Sequence, residues 1–297
     1  MLGPVASADV EIVGTGGVLA VGVTAADGTF GPIEYDGDYA GPLRVRAVGK
    51  MATSWTCDFY GGCFDGADLY AFGESVSFDG VLESVLPFAE DDQFVSVSFL
   101  STLVSRRVDV LGPLSSAGVA SAEADTVEAL RQAIPGTLDA LALEVPTDFS
   151  RLPLFDLGNL PDPDGADDDL QLTLSVMNAV LIGLNYANLS VGDFVAAFAE
   201  QFAADPVLPI GAREFWEPSV ENIAGHMIWM SGEIGDQSQE VVARYDALLA
   251  PATVNELYEG AIFNLLFPSL RASPAFPVIE DPDSVPPAAV HYGVVAT

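Results

Sequence analysis

The sequence predicts an α+β chain of two domains, an N-terminal antiparallel β-sandwich followed by an α-helical domain with an extended tail. Three observations predict it. The first fifty residues are short alternating strands divided by Gly, Pro and Asp-Gly punctuation. Beyond about Ser101 the apolar period changes from two to three-and-four. The stretch from Ser273 to Thr297 is Pro-rich and reads as extended. The expected divisions are 1–105 for the sandwich, 106–169 for a helical segment and linker, 170–272 for the helical domain and 273–297 for the tail.

Each element has a local reason. Val5 to Val13 alternates weakly, and Val18 to Thr24 reads as a strand that Asp27-Gly28 turns into the next. Leu43, Val45 and Ala47 alternate with Arg44 and Arg46, giving one apolar and one charged face. Val76 and Phe78, then Phe94, Val95, Val97 and Phe99, continue the strand pattern. Val127, Leu130, Ile134, Leu138 and Leu141 form a helical stripe that Pro135-Gly136 interrupts. Leu170 to Tyr186 reads as a buried helix. Val191 to Ala204 reads as another, with Ser190 as N-cap and Phe194, Phe198 and Phe202 along one side. Ser219 to Met230, Gln237 to Leu249 and Thr253 to Leu266 are further helix candidates, and Val290 to Val295 is a candidate terminal strand.

Composition narrows the function classes. The chain has 297 residues, half of them hydrophobic, which is enough to fold around real cores. Its 43 acidic and 10 basic residues give a net charge of −33. Such a surface repels nucleic acid and anionic membrane, and it suits salt water, where repulsion is screened within about 8 Å. No stretch reads as transmembrane, since the most apolar one, Leu170 to Tyr186, is broken by polar residues and short for a span. Met1-Leu2 runs straight into the first strand, so a mature chain or a fragment is expected.

Cys57 and Cys63 bracket a Gly61-Gly62 pair, and the expectation is a local disulfide in an oxidising compartment, with two buried thiols as the alternative. Trp55, Phe59, Tyr60 and Phe64 surround them. They read either as core at the sandwich edge or as a binding patch on a stapled loop. Asp162, Asp164, Asp167 and Asp168 lie around Gly165 at a spacing that suits a hard cation such as Ca²⁺, or as a solvated loop before a helix. No other cofactor is expected. Two histidines, His226 and His291, leave little for triads, and no phosphate loop or nucleophile elbow occurs, so no enzyme is expected.

Three pieces stand in order near the N-terminus. They are the opening Gly3-Pro4-Val5 strand with Ala8 and Val10, the Thr24-Ala25-Ala26-Asp27-Gly28-Thr29-Phe30 turn, and Tyr39-Ala40-Gly41-Pro42-Leu43. Val95 to Leu103 follows, with Ser98-Phe99 where the family pattern has Thr-Pro. This set resembles the carboxypeptidase regulatory-like, transthyretin-like β-sandwich (an Ig-like architecture) of bacterial surface proteins and lipoproteins. The resemblance spans about residues 3–105. It implies a secreted or cell-surface, non-catalytic protein with a structural or adhesive role.

Two functions follow as expectations. The first is self-association into filaments or surface layers, with Val290, Tyr292, Val294 and Val295 adding a strand to a neighbour's sheet edge. The second is a monomeric module binding a cell-surface glycan or calcium.

Overall fold

The structure is a computed structural model. It describes residues 4–35, 38–59, 62–90, 93–133 and 189–206, with single positions between 154 and 185. Within them lie three antiparallel sheets and three helices.

The main sheet has four strands in the order β3-β2-β4-β9. These are β2 (Asp9–Gly14), β3 (Gly17–Val23), β4 (Leu43–Val48) and β9 (Val81–Leu86). A second sheet joins β1 (Val5–Ala6), β5 (Ser54–Thr56) and β8 (Ser75–Ser77) in the order β1-β5-β8. The third is a hairpin of β6 (Cys63–Asp65) and β7 (Asp68–Tyr70).

The weak alternation of Val5 to Val13 becomes two strands because Ser7 turns the chain with φ 60°. β1 then pairs with β5, and β2 enters the main sheet. The Asp27-Gly28 turn forms as expected. Asp27 Oδ1 accepts from Thr29 N at 3.0 Å and Thr29 Oγ1 at 2.6 Å. Gly28 has φ 77°, and a Cβ there would lie 2.9 Å from Pro4 Cα, so a side chain is excluded on both counts.

The alternation of β4 is also as expected. Leu43, Val45 and Ala47 are buried beside Val10 and Ile12 of β2 and Leu82 and Leu86 of β9. Tyr39 ties the segment before β4 to the β2–β3 hairpin: its hydroxyl accepts from Thr15 N at 3.0 Å and donates to Pro42 O at 2.6 Å.

Helix α1 spans Phe99–Leu111, α2 Ser116–Ala133 and α3 Val191–Ala204. One expectation is corrected by α1. The Phe94-to-Phe99 alternation does not form a strand. Position 105, the expected end of the sandwich, lies within the helix. Ser98 decides the outcome. Its hydroxyl accepts from Ser101 N while its own N–H donates to Ser101 Oγ, a reciprocal cap that starts a helix. Asn178 Oδ1 accepts from Phe99 N at 3.1 Å and Leu100 N at 3.3 Å, and Thr102 N bonds Ser98 O. All four leading N–H groups of α1 are thereby satisfied.

The expected α3 forms with its N-cap Ser190. Phe194 and Phe198 meet Phe99 of α1 edge-on, at ring separations of 5.9 and 5.3 Å, and Phe202 is buried beyond them. Each ring contributes about 2–3 kcal/mol of apolar burial. Between 170 and 186, the described Gln171, Leu174, Ser175, Asn178, Ala179, Leu181 and Ile182 are helical, as the sequence predicts. The helices are anchored on the main sheet, since α1 packs against β9, α2 and α3. α3 approaches closely over glycine: a Cβ on Gly80 would lie 2.5 Å from Gly192 Cα.

Candidate functional site

The main sheet has two edges, and the chain treats them differently. β9 is sealed at Glu83 by the first turn of α1. Glu83 N donates to Thr102 Oγ1 at 2.9 Å, Ser101 Oγ donates to Glu83 O at 2.7 Å, and Ser98 forms a bridge to Glu83. The β9 edge is thus occupied by hydroxyls from a helix N-terminus.

The other edge, β3, has no strand paired on its outer side among the described residues. Thr24 N bonds Ala8 O, so in the regular part of β3 Ala20 and Gly22 turn their backbone groups to β2, and Val21 and Val23 turn their N–H and C=O groups outward. Among the described residues no backbone hydrogen bond reaches that outer side. The side chains are open as well. Val18, Val21 and Val23 are 57, 69 and 56 % exposed. The strand, Gly17-Val18-Leu19-Ala20-Val21-Gly22-Val23, carries no charge in a chain of net charge −33. Soluble proteins ordinarily blunt such an edge with charge, Pro or a covering segment. Among the described residues, β3 is interrupted by a register shift beside Val18, which leaves Ala20–Val23 regular.

The charged side of the sheet continues away from this edge. Across β2, β4 and β9, Glu11, Arg46 and Glu83 stand in register. Arg46 reaches Glu11 at 2.9 Å and Glu83 at 3.1 Å. Arg44 and Arg106 each approach Glu83 Oε2 at 3.6 Å, Ser105 Oγ donates to it at 3.0 Å, and Arg44 pairs with Asp109. Glu83 is 2 % exposed, so this carboxylate is compensated by three of the ten basic residues. Burial works against the charge of Arg44, but its hydrogen bond to Asp109 and the charges of Glu83 and Asp109 outweigh burial and raise its pKa. These groups satisfy one another and fix α1 on the sheet.

The remaining expected residues fall as follows. Cys57 and Cys63 form a disulfide with both sulfurs buried. Trp55 and Phe59 are buried. Phe64 is half-buried, and Tyr60 lies outside the described residues. The disulfide-closed hairpin instead holds α3. Asp65 Oδ1 accepts from Val191 N at 2.9 Å, Gly66 N donates to Leu189 O at 2.9 Å, and Asn185 Nδ2 donates to Phe64 O at 3.0 Å. The carboxylate at the helix N-terminus also opposes the macrodipole favourably.

Asp162, Asp164, Asp167 and Asp168 lie outside the described residues, as do Val290, Tyr292, Val294 and Val295. Among the described residues no group of three or more His, Cys, Asp or Glu is placed to hold a metal ion. Nor is any described helix long and apolar enough to cross a membrane.

The site that sequence reasoning missed is the β3 edge. The strand itself was readable, and its lack of charge was the available signal. Which neighbour a strand has on each side is set by long-range pairing, so its edge position was not. Comparison with protein-family models, with curated proteins and with solved structures returns no match.

Proposed function

We propose that the chain is a non-catalytic, extracellular structural protein that self-assembles by adding a strand to the open edge of its main sheet. The carrying observation is β3: an uncharged strand with outward backbone groups and three exposed valines. Strand addition gives affinity through main-chain hydrogen bonds, and the exposed side chains add cross-strand contact. The first two sheets read as the layers of a transthyretin-like sandwich, in keeping with the N-terminal resemblance. The buried disulfide supports an oxidising compartment and hence secretion to the cell surface. The acidic surface keeps subunits soluble and directs association to the uncharged edge.

The test is the native mass of the purified chain over a range of concentrations, by light scattering with negative-stain microscopy. Concentration-dependent oligomers or filaments are expected. A monomer at every concentration overturns the reading and leaves a monomeric glycan- or calcium-binding module in its place.

A further inference from the structure

We propose that the strand received by β3 is the segment Val290–Val295 of a second copy, laid with Val290, Tyr292 and Val294 on the same face as Val18, Val21 and Val23. This rests on the assembly reading above and names its donor and its phase.

Charge is the first argument. Strands pair at about 4.8 Å, a distance at which like charges on opposed positions are destabilising. Residues 284–297 contain no Asp, Glu, Lys or Arg, although the whole chain carries 53 such residues. β3 contains none either. An uncharged donor meets an uncharged acceptor, so no like charges stand opposite each other within the paired strands.

The two faces beside β3 supply the second argument. On one, Val18, Val21 and Val23 are exposed. On the other, Ile33 lies over Gly22, where an added Cβ would be 2.6 Å from Ile33 Cδ1. An added strand therefore needs apolar residues on the first face and its smallest residue where it passes Ile33. Laid as a strand, the segment would put Val290, Tyr292 and Val294 on the first face and Gly293 at the centre of the other, between His291 and Val295. Tyr and Val opposite Val are favourable cross-strand pairs. Pro286-Pro287 lies ahead of the segment and limits the pairing on that side, since proline lacks the N–H a ladder uses.

The experiment mixes two single variants of the full chain, Val21→Cys and Tyr292→Cys, under mild oxidation. A disulfide between the two different chains, located by peptide mapping, is expected to dominate over links between identical ones. In parallel, Tyr292→Asp with Val294→Asp should weaken association by at least about tenfold, as Val21→Lys does, and an excess of synthetic peptide 288–297 should stop growth. Unchanged circular dichroism and an intact Cys57–Cys63 bond show that each variant is folded. If Val21→Lys blocks association while the tail variant and the peptide leave it unchanged, the donor is wrong and the edge reading stands. Links formed only between identical chains also overturn the proposal. If neither edge nor tail substitutions affect association, both readings fall.

Discussion

Glu83 shows how one residue joins sheet to helix. Its backbone is held by Ser101 and Thr102, and its carboxylate by Arg46, Arg44, Arg106 and Ser105. Glu83→Ala removes the shared partner of three arginines in a buried setting. We expect a loss of about 3–5 kcal/mol in urea unfolding, the range for breaking a buried ion pair from one side. Asp27 gives a milder prediction. Its hydrogen bonds from the Thr29 hydroxyl and backbone hold its carboxyl below the usual aspartate value. A depressed carboxylate contributes stability that is present above its unfolded pKa and lost as pH falls through the folded one. Its titration, followed by carboxyl ¹³C shifts, should therefore have a midpoint below that of a free aspartate. In Thr29→Ala the midpoint should move up. The Leu43–Val45–Ala47 pattern and the Asp27-Gly28 turn were legible because both are local. Glu83 was not singled out, because its three arginines come from positions 44, 46 and 106 and only pairing brings them together.

Among the elements, α3 and the disulfide hairpin depend on each other. The short loop closed by Cys57 and Cys63 is worth about 2 kcal/mol on the chain-entropy model. Its larger consequence is that Asp65 and Phe64 stay in place to bond the start of α3. In Cys57→Ser with Cys63→Ser, amide exchange should rise first at the start of α3, ahead of β2 and β4. Uniform acceleration across the molecule would contradict this. Gly80→Ala tests the same docking from the sheet side. The added methyl meets backbone at Gly192, so a loss of about 1–3 kcal/mol is expected from overpacking. α3 was legible to within a residue because its cap and its Phe194-Phe198-Phe202 row are self-contained signals. α1 was not, because Val95-Ser96-Val97-Ser98-Phe99 alternates like a strand. The reciprocal Ser98–Ser101 cap and the distant Asn178 tip the balance to helix.

At the scale of the main sheet, charged pairs bind β2, β4 and β9 to α1, while the edge strand β3 carries no charge. The α+β character was readable from the change in hydrophobic period. The asymmetry of the two sheet edges was not, since it depends on α1 covering β9 and nothing described covering β3. Val21→Lys places a charge on the open edge at a site 69 % exposed, so it should leave urea unfolding within about 0.5 kcal/mol of the parent while reducing native mass to that of a monomer. Sedimentation velocity at matched concentration reads the second effect.

The most direct measurement is amide hydrogen exchange at Val21 and Val23 in dilute and in concentrated protein. Both N–H groups point out of the sheet and have no partner among the described residues. Strand addition at β3 predicts fast exchange when dilute and at least about tenfold slower exchange when concentrated, with β2 and β4 unchanged. Exchange at Val21 and Val23 that stays fast while the protein associates would contradict assembly through this edge.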